Sequence, residues 1–304
     1  MCSLKLLPPV KELSTDACIE LQQDFRSHGT MVWGYSGGEP LVREDLEQLF
    51  ASAKALGMRT VLNTNGTLLP DRPELGHLVD LLEIGIDGGK QSHDQLRGSG
   101  SFDQAVAGLV AMKRLVSPRP RIIIQAILSN KTIEPDQLDE VLRLAQEHGV
   151  MVGFSLSMAH RVDDRLLNST HKHTPSAEQF EEFCLWLTRE KAGPKGKHIA
   201  DDPAFFRALG NFPEHPHRIP CHAGVRRCVV DPAGLVLPCA DLFDRQVNLA
   251  ARGMRFGYGY EGFKSLPKAY PCGKQYCYTA KTNFMLAKPW RTLERYFARP
   301  DGSE

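Results

Sequence analysis

Apolar residues along the first two thirds of the chain fall into two alternating patterns. Short, nearly continuous apolar runs at 31–36, 60–62, 81–86, 121–128 and 150–156 predict five strands. Between them, apolar positions recur at helical spacing. Leu41, Leu46, Leu49, Phe50, Ala53 and Leu56 predict one helix, and residues 102–115, 135–148 and 175–191 predict three more. Gly57 and Gly149 are placed to stop two of these helices. Strands that are apolar throughout, instead of alternating, imply a parallel sheet covered by helices. Small and polar residues at the strand ends are where such α/β proteins build sites. The alternation stops near residue 195. Residues 193–220 are rich in Pro, His and Gly and read as a linker, and cysteines cluster from Cys221 onward.

Composition narrows the function classes. Thirty-seven basic and 36 acidic residues leave a net charge of +1, which argues against binding driven by nucleic-acid phosphates. No apolar run approaches the roughly 20 residues needed to span a bilayer. The start, Met1-Cys2-Ser3-Leu4-Lys5, has no secretory pattern, so a cytoplasmic location is expected. In that reducing compartment, eight cysteines point to metal binding before disulfides. His171, His173, His215, His217 and His222 lack helical i, i+4 spacing and read as solvated loop residues.

The sharpest motif is Ser36-Gly37-Gly38-Glu39-Pro40-Leu41, directly after a strand and before a helix. Two glycines let a ligand approach the backbone closely, Glu39 offers an acceptor for an ammonium group, and Pro40 can open the next helix. One βα unit later comes Leu62-Asn63-Thr64-Asn65-Gly66-Thr67. Then follow Glu83-Ile84-Gly85-Ile86-Asp87-Gly88, His93-Asp94, Arg97-Gly98 and Gly100-Ser101-Phe102. In order and spacing, over roughly residues 12 to 156, these resemble the radical S-adenosylmethionine (SAM) superfamily.

The resemblance implies a partial (β/α)6 TIM-type barrel, its first strand missing or incomplete, followed by a small cysteine-rich C-terminal extension. The implied boundaries are 1–195 for the barrel, 196–220 for the linker and 221–304 for the extension. It implies that Ser36, Gly37, Gly38 and Glu39 hold the methionine end of SAM. Asn63, Asn65, Asp87 and Asn130 are implied to line the same cavity. The family binds a [4Fe–4S] cluster through C-x3-C-x2-C, and here only Cys2 stands where the third of those cysteines falls. The first strand and the other two cysteines are therefore expected upstream of Met1. A natural truncation without the chemistry is the competing explanation.

Cys221, Gly234 and Cys239 follow a C-x12-G-x4-C pattern across a turn at Pro232-Ala233-Gly234, which predicts a hairpin. The pattern resembles the start of the SPASM and twitch extensions that carry auxiliary iron–sulfur clusters. Cys221, Cys239, Cys272 and Cys277 are the expected ligands, with Cys228 in reserve. Four thiolates also suit zinc. Cys18 and Cys184, in helical patterns, read as core thiols.

The implied activity is reductive cleavage of SAM to a 5′-deoxyadenosyl radical that takes a hydrogen atom from a small-molecule or peptide substrate. An electron donor such as flavodoxin or ferredoxin is the implied partner. Two other classes stay open. One is a non-catalytic iron–sulfur or zinc protein on the same scaffold. The other is an ordinary lyase or hydrolase using Glu39 and Asp87 as acid and base.

Overall fold

The computed structural model describes residues 10–115, 119–156, 173–209, 227–234 and 236–237. All five expected strands form, as β1 (Val32–Tyr35), β2 (Arg59–Thr64), β3 (Leu81–Gly85), β4 (Arg121–Leu128) and β5 (Met151–Leu156). They make one parallel sheet in the order β1-β2-β3-β4-β5. Helix α1 (Thr15–Ser27) precedes β1, and α2 (Leu46–Ala55) joins β1 to β2. A short α3 (Leu75–Leu78) leads to β3, and α4 (Lys90–Arg97) and α5 (Ser101–Lys113) lie between β3 and β4. Helix α6 (Pro135–Glu147) joins β4 to β5, and α7 (Ala177–Ala192) and α8 (Pro203–Ala208) follow.

The two faces of the sheet differ in chemistry. Leu62, Ile84, Ile124 and Phe154 point one way, into a single core with Phe50, Leu109, Leu142, Phe183 and Trp186 from the helices. On the opposite face, Leu81, Ile123 and Ala200 pack with Val61 and Met151. Toward the C-terminal ends of the strands that second face turns polar. The register puts Asn63 beside Glu83, and Gly85 beside Gln125. Gln125 Nε2 donates to Ser155 Oγ at 2.9 Å and to the Gly153 carbonyl at 3.2 Å. Burial thus fixes the register, and the register delivers the polar groups to one edge.

Three segments differ from expectation. The apolar pattern of 41–56 predicts one helix, but the chain forms a 3-10 turn at Pro40–Val42, leaves it at Arg43, and re-enters as α2. Arg72 explains the break, because its Nη1 donates to the carbonyls of Leu41 and Arg43 at 2.7 Å each and so satisfies groups a helix would have paired. Helix α4 has the polar sequence KQSHDQLR and gives no apolar period to read. Residues 196–209, read as the start of a linker, instead pack onto the sheet. Ala200 N–H donates to Val152 O at 2.8 Å, Ile199 bridges Val152, and Phe205, Phe206 and Leu209 are buried in the core. Burial of two phenylalanines outweighs the local Pro and Gly signal.

The predicted hairpin is present as β6 (Val229–Val230) and β7 (Val236–Leu237), antiparallel, with Gly234 at φ +89° closing the turn. Cys18 is buried in α1, and Cys184 packs half-buried on the core, as expected of core thiols. No helix among the described residues is long and apolar enough to cross a membrane.

Candidate functional site

The C-terminal edge of the sheet gathers most of the predicted residues. Beyond β1, Ser36, Gly37 and Gly38 are exposed. Gly37 has φ +122°, and a Cβ built on either glycine would meet nothing within 4 Å. Backbone groups here face open space, and Gly37 adopts a conformation that favours glycine.

Glu39 braces the edge on which its motif lies. Its Oε1 accepts from Thr64 Oγ1 at 2.6 Å and from Leu41 N–H at 3.1 Å, and its Oε2 accepts from Asn65 N–H at 2.8 Å. The carboxylate therefore ties the end of β1 to the end of β2. With three of its roughly four acceptor positions used inside the chain, it orients the Gly-Gly backbone more than it awaits an ammonium. Asn65 turns its own Oδ1 back to Thr67 N–H at 2.9 Å and Thr67 Oγ1 at 2.8 Å, an Asx-type turn. Asn63 is half-buried on the polar face.

Asp87 is wholly buried and does not line an open cavity. Its Oδ1 accepts from Ile127 N–H at 2.8 Å, and its Oδ2 accepts from Arg97 Nε at 2.7 Å. The Asp87 N–H donates to His93 Nδ1 at 2.9 Å, which requires that nitrogen to be unprotonated. Burial pushes the His93 imidazole below its ordinary value of 6.5; the Arg97 charge adds to this, and Asp87 and Asp94 oppose it. The group that reaches the polar face is Arg97, which sequence reasoning named without a role. A Cβ on Gly85 would lie 2.8 Å from Arg97 Nη2, so the guanidinium lies against the backbone there. A side chain at position 85 would require the Arg97 head group to shift. An ordinary acid–base mechanism on Glu39 and Asp87 loses its groups, since both carboxylates are engaged in bracing.

Asn130, past β4, is half-buried. Its N–H donates to His173 O at 3.0 Å and its carbonyl accepts from Gln179 Nε2 at 3.1 Å, which fastens the β4 loop to α7. His173 is half-buried in this junction. Of the cysteines proposed as ligands, Cys2, Cys221, Cys239, Cys272 and Cys277 lie outside the described residues. Cys228 is described; burial pushes its thiol up to about 12, with Arg227 opposing.

The chain is similar to several known proteins. Residues 1–145 match the Radical SAM superfamily. The chain is 27% identical over 258 residues to AdoMet-dependent heme synthase of Methanosarcina barkeri, covering 77% of this chain and 70% of that one. Mycofactocin maturase MftC of Mycolicibacterium smegmatis is 28% identical over 238 residues, covering 75% and 57%. Fe-coproporphyrin III synthase of Methanosarcina barkeri is 42% identical over 103 residues, 32% of this chain and 26% of that protein. The chain thus spans only part of each relative's length. Among solved structures, SuiB of Streptococcus suis bound to S-adenosylmethionine superposes with a TM-score of 0.62 at 13% identity, over 85% of this chain and 62% of that one. That likeness is of fold.

The radical SAM family uses SAM together with a [4Fe–4S] cluster. The described residues fit SAM, because Gly37 and Gly38 leave space over an exposed backbone at the sheet edge. They offer no cluster site, since no three His, Cys, Asp or Glu side chains converge among the described residues.

Proposed function

We propose that the chain is a radical SAM enzyme that removes a hydrogen atom from a peptide or a cofactor precursor. The observation that carries this is the Gly37-Gly38 edge locked to β2 by Glu39, within the segment that matches the superfamily. A reduced [4Fe–4S] cluster, when bound, supplies the electron that splits the sulfonium bond of SAM. The chain's own residues bind and orient. The open amide and carbonyl groups at Ser36, Gly37 and Gly38 receive the amino-acid end of SAM. Asn63 offers an amide on the polar face, and Asn65 and Asn130 shape the loops beside it. Arg97, steered by Asp87, brings a fixed guanidinium to the same face, suited to a carboxylate.

The sheet is read as a partial (β/α)6 barrel with SAM at its C-terminal edge. The segment from Cys221 is read as a twitch or reduced SPASM extension, with Cys221, Cys239, Cys272 and Cys277 as auxiliary ligands and Cys2 as part of the catalytic loop. The maturase and synthase names among the relatives support a peptide or tetrapyrrole-like substrate. Iron–sulfur chemistry suits a reducing compartment, so we place the protein in the cytoplasm with a flavodoxin or ferredoxin as donor.

The test is anaerobic reconstitution, with iron and sulfide, of the protein carrying the complete C-x3-C-x2-C loop, followed by SAM and dithionite, with 5′-deoxyadenosine quantified. Product that falls at least tenfold in Glu39→Ala, at unchanged iron content, supports the reading. Iron retained with no product would make the chain a binding scaffold instead.

A further inference from the structure

The hairpin β6–β7 is too small to stand alone. It has two residue pairs, Val229 with Leu237 and Val230 with Val236. Two-stranded hairpins are marginal in water even when longer. Yet Val236 is buried, and the turn is closed by Gly234 N–H donating to Asp231 O at 3.0 Å. In that turn the exposed Pro232 offers its carbonyl to a donor outside the hairpin. It finds one in Leu13, whose N–H donates to Pro232 O at 2.8 Å.

Leu13 is the last residue but one before α1, in an extended arm. Its carbonyl is taken as well, by Arg43 Nη2 at 2.9 Å. Arg43 in turn grips Glu12 Oε2 at 3.1 Å and Asp45 with two bonds of 2.6 and 2.9 Å. Thr15 Oγ1 reaches the same Asp45 carboxylate at 2.5 Å. Leu13 is therefore bonded on both sides of its backbone: to the radical SAM region through Arg43, and to the C-terminal segment through Pro232.

We infer that the hairpin is a clamp on the N-terminal arm, and that order in residues 10–13 and order in residues 229–237 depend on each other. Arg43 alone fixes one side of the arm, and the hairpin fixes the other. The two segments are more than 200 residues apart in sequence, so the clamp makes the placement of the arm conditional on the C-terminal segment being folded. The inference concerns the arm and hairpin alone, and holds whatever chemistry the site performs.

Linkage gives a reciprocal test, because coupling between two segments acts equally in both directions. Hydrogen exchange of the full chain is read at single-residue level by fragmentation mass spectrometry. In Gly234→Val, where the positive φ strains the turn, the Leu13 amide exchanges at least tenfold faster while amides of Leu21 and Gln22 keep their protection. In Leu13→Pro, which removes the N–H donor together with the leucine side chain and fixes φ there, the amides of the hairpin ladder (residues 229–237) speed up by a comparable factor. Unchanged Leu13 protection in Gly234→Val together with an opened hairpin would overturn the inference, since Arg43 would then suffice. So would an unchanged hairpin in Leu13→Pro. Either result would leave SAM binding untested, so failure here is distinct from failure of the proposed function.

Discussion

Glu39 and Asp87 show how the same residue type is spent differently at one sheet edge. Each carboxylate joins neighbouring strand ends, β1 to β2 for Glu39 and β3 to β4 for Asp87, and each leaves another group to face the open edge. Asp87 has the larger stake. It is fully buried, and its partner Arg97 is 25% exposed in the side chain. Asp87→Ala breaks the ion pair with Arg97 and takes the acceptor from the Ile127 N–H, and should cost about 3 kcal/mol in urea unfolding, the low end for a broken buried pair. A loss under about 1 kcal/mol would mean the pair is not formed in solution. His93 adds a pH dependence. Because its folded-state pKa is lowered by burial, the unfolded chain takes up a proton first as pH falls. Its contribution is complete above the unfolded value of 6.5 and is lost as pH falls from there through the folded pKa. His93→Gln keeps an acceptor for Asp87 N–H without titrating, so its stability profile between pH 5 and 7 should be flatter than that of the parent.

Elements carry the edge through close backbone approach. Gly108 in α5 lies against the loop after β2, and a Cβ there would overlap the Gly66 carbonyl. Gly66 itself has φ +83° and directly follows Asn65. Gly108→Ala gains about 1 kcal/mol of helix propensity but must displace backbone. We expect a net loss of about 2 kcal/mol by urea unfolding, and weaker SAM binding because the Asn65 loop shifts with Gly66. The five strands were legible in sequence because each is a compact apolar run and β-branched residues concentrate in β4. Helix α4 was not, because its eight residues have no apolar face. The interruption at Arg43 was hidden as well, since it depends on Arg72, 29 residues away, supplying donors to the Leu41 and Arg43 carbonyls. The motif at Gly37–Glu39 was plain, whereas the Asp87–Arg97 pair needed α4 to bring the two together. Linker composition misled at 199–209, where five buried apolar side chains outweigh the turn residues around them.

The described residues combine a five-stranded parallel sheet with one helix-covered face, a second face that turns polar toward the strand C-termini, and a C-terminal hairpin held to the N-terminal arm at Leu13. In it, the strand ends position Gly37, Gly38, Asn63 and Arg97 around one edge, while Glu39 and Asp87 keep that edge in shape. The central claim is that SAM binds at this edge. The most direct measurement is anaerobic isothermal titration of SAM into the iron-loaded protein and into Glu39→Ala at equal iron content. The account predicts saturable binding by the parent and at least tenfold weaker binding by the variant, equivalent to about 1.4 kcal/mol. Equal affinity in the two proteins, or no binding by the parent, would contradict it.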